Sequence, residues 1–299
     1  MPNDQHHPAT ATHPHPATAT HAAHAHHQDD AAMAEMLDLD AEVLHSYLSE
    51  VIGWVADTAA GPPRRILDLG AGTGAGALAL AQRFTGAEVT AVDTSAPLLG
   101  RLQDKARDLG VADRVHVIQA DLDAGWPAVE PVDLVWASKS LHHMADPGRV
   151  LADVFAALRP GGLLTVDELG SFPRFLATEP GAGLEERGHA VLAGELAGEL
   201  PHLGSDWAPR LRQAGFTLLG EREFAIDLTP PLPAAAGRYA QVTLRRLRSA
   251  LDDRMSADDL AALDTLIGSD GPDGVLHRTD LTVRTTRTVY LAERSRAAR

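Results

Sequence analysis

The stretch Ile66-Leu-Asp-Leu-Gly-Ala-Gly-Thr-Gly-Ala-Gly76 constrains this chain more than any other. Ile66, Leu67 and Leu69 read as a buried strand. Gly70, Gly72 and Gly74 follow at alternate positions and allow a tight turn in which backbone comes close to a ligand. Ala75 to Phe84 then reads as a helix, with Leu78, Leu80, Ala81 and Phe84 as its apolar residues. A glycine loop that opens a helix presents unpaired N–H groups and a positive dipole end to an anionic group. Asp68 stands two residues before the first glycine, and Val89-Thr-Ala-Val-Asp93 reads as a second strand ending in a carboxylate. An acid there is placed to accept hydrogen bonds from ribose hydroxyls.

Further motifs follow in order. Ser95-Ala-Pro97 opens a helix with Leu98, Leu99, Leu102, Ala106 and Leu109 on one face, stopped by Gly110. Val115-His-Val-Ile118 reads as a third strand, followed by Asp121. Val132–Trp136 reads as a fourth, running into Ala137-Ser-Lys-Ser-Leu-His-His143. Asp146-Pro147 is a helix start, a capping carboxylate and then proline at the first helical position. Arg159-Pro-Gly-Gly162 ends that helix, and Leu163–Glu168 is a fifth strand. A sixth is expected at about 217–226 and a seventh within 284–292.

This set resembles the class I S-adenosylmethionine-dependent methyltransferases, in their small-molecule and quinone-type branch, over roughly residues 40–299. The resemblance implies an α/β, Rossmann-like seven-stranded sheet of order 3-2-1-4-5-7-6, with strand 7 antiparallel, helices on both faces and a helical lid. It implies S-adenosyl-L-methionine as cofactor. Asp68, Gly70, Ala71, Gly72, Thr73 and Gly74 would meet its amino-acid part, Asp93 and Thr94 the ribose, and Asp121 and Leu122 the adenine, with Ser138 on the methyl side. The reaction would move a methyl group to an O, N or C atom of a small molecule by in-line displacement. His142 and His143 are the candidate bases for a hydroxyl acceptor, with Glu168 behind them. Lys139 is a departure at a variable position and is expected to reach solvent.

Two other readings share these residues. Gly70-Ala-Gly72-Thr-Gly-Ala75 also satisfies the G-x-G-x-x-A pattern of an NAD(P)-dependent reductase. Against it stand Asp68, Gly74, Asp121 and the absence of a Tyr-x-x-x-Lys pair after strand four. The second alternative is a metal-binding protein acting through the first thirty residues, where eight of the fifteen histidines precede Gln28. That segment of Ala, Thr, Pro and His is expected to be disordered over residues 1–30, because it buries too little apolar surface to offset its ordering entropy. No metal site is expected in the domain, 31–299.

The net charge of −15 argues against nucleic-acid and membrane partners. Zero cysteines exclude disulfides, thiolate metal sites and thiol nucleophiles. No signal-peptide pattern is present, so a cytoplasmic location is expected. Leu37, Val43, Leu44, Tyr47, Leu48, Val51, Ile52 and Val55 mark helical segments ahead of the first strand, with Asp40 as a candidate cap. Insertions are expected at about 170–203 and 228–280, the second holding a helix capped by Ser256. Leaving the carboxyl edge of the sheet, they are expected to wall an enclosed, mainly apolar substrate pocket lined by Tyr47, Phe172, Phe175 and Tyr239. The sequence does not indicate an oligomeric state.

Overall fold

The computed structural model describes residues 16–177, 183–251 and 254–295, with side chains from Asp30 onward. Its centre is a mixed sheet. β1 (Arg65–Leu69), β2 (Glu88–Asp93), β3 (Val115–Gln119), β4 (Val132–Ser138) and β5 (Leu158–Leu169) run parallel in the order β3-β2-β1-β4-β5. Their apolar runs match strands covered on both faces. The last strand, β8 (Leu281–Arg294), lies antiparallel to β5, with Val166 opposite Tyr290. β7 (Phe216–Leu228) pairs with the other side of β8. This is the expected 3-2-1-4-5-7-6 order, with a short extra strand β6 (Arg174–Leu176) also paired to β8.

The helices cover both faces. α3 (Ala75–Arg83) and α4 (Ala96–Asp108) join a core of Ile66, Leu80, Val89, Leu102 and Trp136. α5 (Pro147–Ala157) and α7 (Ala208–Gln213) pack on the opposite face with Leu67, Val135, Leu164 and Trp207. The capping signals sit where expected. Asp146 accepts the Arg149 N–H at 3.0 Å, Ser95 accepts Leu98 N–H at 3.3 Å and Ser256 accepts Asp259 N–H at 3.1 Å.

A third apolar cluster builds the roof. It joins α1 (Pro16–Val43), α6 (Leu184–Glu199), α8 (Ala236–Leu251) and α9 (Ala257–Gly268) through Val43, Leu184, Tyr239, Leu244, Leu247 and Leu263. α2 (His45–Thr58) continues from α1 to the sheet flank, burying Val51, Ile52 and Val55.

The expectation of a disordered segment over residues 1–30 falls on residues 1–15, which lie outside the described residues, and on the start of α1, whose side chains are described only from Asp30. One expectation changes here. Asp40 is inside α1 and caps nothing; its carboxylate reaches across the roof instead. The Pro-Gly-Gly turn belongs to the start of β5, where Leu158 pairs with Val132 before a register shift.

Candidate active site

The glycine loop turns because its glycines take left-handed backbone angles that side chains resist. Gly70 has φ 66° and a Cβ there would lie 2.4 Å from Ser140 Cβ. Its N–H and that of Ala71 both donate to the Val92 carbonyl, which ties the loop to the tip of β2. Asp93 completes that tie. One carboxylate oxygen accepts the Gly72 N–H at 2.8 Å and the other accepts Ser95 N–H at 2.9 Å. Each oxygen keeps a second lone pair for a ligand hydroxyl.

Beside this loop lies a cleft of about 480 Å³. Asp68, Gly70, Ala71, Gly72, Thr73, Asp93, Thr94, Asp121, Leu122 and Ser138 all line it, as does His143. Gly74 does not. A Cβ at Gly74 would lie 2.4 Å from Leu102 Cγ, so this glycine lets α4 pack against the loop. α1 supplies Met33 and Leu37 to the cleft wall, and Leu37 packs on Gly72. That helix is pinned to α4 by Asp38, which takes hydrogen bonds from Arg101 at 2.5 Å and Lys105 at 2.7 Å.

The cleft is acidic. Asp68, Asp93, Asp121 and Asp123 line it against a single lysine, Lys139. Asp68 is buried and its Oδ2 has no hydrogen-bond partner among the described residues. Burial, and then the Asp93 charge, push its carboxyl up to about 7 against the Ala77 N–H, which favours the ionised form. The buried Ser140 hydroxyl, on the cleft wall, is also unpartnered. Carboxylates with spare lone pairs and an excess of negative charge fit a cofactor with hydroxyls, an ammonium and a sulfonium. The same charge opposes a pyrophosphate.

The two histidines part company. His142 is buried, with Nδ1 2.5 Å from the Glu168 carboxylate. Glu168 also accepts Leu141 N–H, so the acid orients the ring. His143 is at the cleft mouth, its ring centroid 4.2 Å from that of His142. Desolvation, then the neighbouring His142, hold its pKa below the usual imidazole value.

Behind Ser138 lies a charged network that sequence reasoning missed. Lys139 has φ 55°, an angle that costs a non-glycine residue of order 1–3 kcal/mol. Its Nζ meets Asp40 at 2.7 Å, so it is not released to solvent as expected. Asp40 also accepts hydrogen bonds from Tyr239 at 2.6 Å and Arg287 at 2.9 Å. Burial alone would raise the Asp40 pKa, but Lys139 and Arg287 overcome it and hold the carboxyl well below the usual range. Asp167 takes the hydroxyls of Tyr47 and Ser138, both at 2.7 Å. Asp167 follows the mainly apolar run Leu163–Val166, and a charge there is a signal in the sequence; Arg287 sits among the threonines and arginines of β8, where no local pattern marks it.

The expected apolar pocket is not formed as drawn. Phe175 and Tyr239 stack edge to face at 5.1 Å within the roof core. Phe172 lines a separate cavity of about 530 Å³ under α6, beside His189. Tyr47 is committed to Asp167 and to Phe224. None of the four lines the cleft, because large aromatic area goes first to the roof and sheet contacts.

Comparison with known proteins agrees with this geometry. Residues 66–162 match the family described as a methyltransferase domain. This segment of the chain is similar to a methyltransferase domain. It holds the glycine loop, Asp93, Asp121 and the histidines. Around it, the chain is 32% identical over 179 residues to 27-O-demethylrifamycin SV methyltransferase of Amycolatopsis mediterranei, covering 58% of this chain and 62% of that one. It is 31% identical over 174 residues to trans-aconitate 2-methyltransferase of Azoarcus, covering 58% and 53%. Both alignments span less than two thirds of the relative's length. A solved Bacillus halodurans protein, titled as a methyltransferase candidate, shares the fold over 84% of this chain and 99% of its own, with a TM-score of 0.54 at 18% identity. The roof helices α6, α8 and α9 lie beyond the matched segment. Among the described residues no helix is long and apolar enough to cross a membrane. The eight histidines that precede Gln28, on which the metal reading rests, lie outside the described side chains.

Proposed function

We propose that the protein is an S-adenosylmethionine-dependent methyltransferase that acts on a small molecule. The observation that carries this is the acidic cleft, in which the Gly70–Thr73 loop, Asp93 and Asp121 all face one space. S-adenosylmethionine supplies a methyl group on a positive sulfur, open to in-line displacement. The chain's own work is to bind, orient and exclude water. The glycine loop serves the amino-acid end, Asp93 the ribose and Asp121 the adenine. Leu37 and Met33 of α1 cover the opening. For a hydroxyl acceptor, His143 is the histidine that lines the cleft, and the buried His142 beside it is oriented by Glu168. Desolvation, then His142, hold the His143 pKa below the ordinary imidazole value, which favours the neutral form that a base needs.

The relatives named above act on an antibiotic and on trans-aconitate, which supports a small-molecule acceptor. The negative surface supports a partner other than nucleic acid. Location in the cytoplasm is consistent with the lack of a membrane-crossing helix among the described residues.

A thermal-shift titration of the full chain tests the proposal. S-adenosylmethionine and S-adenosylhomocysteine should each raise the melting temperature, while NADH and NADPH should not. A shift with the nicotinamide nucleotides alone would replace this reading with the reductase.

A further inference from the structure

Resting on the methyltransferase reading, we infer that Lys139 and Arg287 form a carboxylate-binding subsite for the methyl acceptor, in which Asp40 occupies the acceptor's place. The acceptor is then a small molecule carrying a carboxylate beside the atom that is methylated.

Lys139 is the member of the network that lines the cleft, with its side chain 27% exposed, and it contacts Asp40, 13% exposed, which in turn contacts Arg287, 2% exposed. A ligand carboxylate that takes the place of Asp40 therefore enters past Lys139. Arg287 is not saturated. Its Nη2 donates to Asp40, but its Nη1 is buried with no hydrogen-bond partner among the described residues. A guanidinium presents a planar fork of donors that matches a carboxylate two bonds at a time. Asp40 satisfies only one arm.

The two acids are held differently. Asp167 belongs to β5, pairs within the sheet and is fixed by two hydroxyls. Asp40 comes from α1, which lies outside the sheet and touches it through side chains. With Asp40 and Asp167 ionised, Lys139 and Arg287 are balanced. Replacing Asp40 with a ligand carboxylate preserves that balance, whereas a neutral or cationic group would leave two buried cations against one acid. Lys139 holds a left-handed backbone angle just after β4, a conformation that costs a side-chain-bearing residue and that tends to persist at functional sites. Two cations on the bound carboxylate lower its nucleophilicity, so it serves as a handle and a different atom accepts the methyl group.

Isothermal titration of the full chain with succinate and benzoate, against succinamide and benzamide, reads this directly. It is run with and without saturating S-adenosylhomocysteine on the wild type, Asp40→Asn and Lys139→Gln. Carboxylates should bind at least about tenfold more tightly than amides, and Asp40→Asn should tighten them about tenfold further. Lys139→Gln, at a half-buried and more tolerant position, should erase the preference. Equal binding of acids and amides in the wild type and in Asp40→Asn overturns the inference, as does an Asp40→Asn protein that only melts earlier. Carboxylates that compete with S-adenosylhomocysteine also overturn it, since the subsite would then hold the cofactor's own carboxylate. If S-adenosylhomocysteine fails to bind while the acids still discriminate, the methyltransferase reading falls and the anion subsite stands.

Discussion

Gly72 and Asp93 meet across 21 residues, whereas Arg287 and Asp40 meet across 247. The first pair belongs to the glycine-rich half of the cleft, made largely of backbone groups from three neighbouring strand ends. The second belongs to the charged network, made of side chains from α1, β4, β5, α8 and β8. Their electrostatics differ as well. In the glycine-rich half, Asp68 is buried without a cation and its carboxyl is pushed up. In the network, Asp40 is equally deep but paired with two cations, and its carboxyl is pushed down. One half stores an unpaired acid and leaves room for a cationic ligand. The other pairs its acids with cations and ties the roof to the sheet.

Removing one partner from the network should have the largest effect on stability. Arg287→Met leaves Asp40 and Asp167 short of a buried cation, and should destabilise the fold by about 3–5 kcal/mol. Urea unfolding measures it, and a loss below 1 kcal/mol would mean that the roof stands without the network. In the surviving folded fraction, affinity for S-adenosylhomocysteine should stay within about twofold.

The glycine-rich half should respond to pH through Asp68. Its folded carboxyl, at about 7, holds a proton that the unfolded chain loses near pH 4. Stability from this group is therefore complete below about pH 4 and declines as pH rises through about 7. The full loss is at most roughly 4 kcal/mol. Urea midpoints of the ligand-free protein at pH 4.5 and pH 8 should differ less in Asp68→Asn than in the wild type. Identical slopes would show that Asp68 is paired.

Asp93→Ala should weaken S-adenosylhomocysteine binding by about 1.5–3 kcal/mol, the scale of a lost charge-assisted hydrogen bond. It also deprives the Gly72 N–H of its acceptor. Calorimetry on the variant measures this, and unchanged affinity would separate Asp93 from the ribose.

The two halves were also unequally legible. The sheet order, the glycine loop, Asp93, Asp121 and the helix caps at Ser95, Asp146 and Ser256 are local patterns, and each lies where the sequence placed it. Asp40 looked like a cap because capping is the commonest use of an aspartate near a helix. Its real partners lie 99, 199 and 247 residues away, and no local pattern names them. Phe175 and Tyr239 looked like pocket walls for the same reason in reverse. Which surface an aromatic covers depends on the element opposite, here each other and the roof helices.

β8 is the last strand of the sheet in chain order, yet it lies between β5 and β7. A growing chain therefore completes β1–β4, with the glycine loop and its ties, well before Arg287 exists. Until β8 arrives, β7 has no described strand partner and the edge of β5 stays open. The vulnerable interval in synthesis lies between those events, when long unpaired edges can meet another chain. Filling the gap between β5 and β7 and delivering the buried arginine are one step, so the roof gains its electrostatic anchor only as that gap is filled.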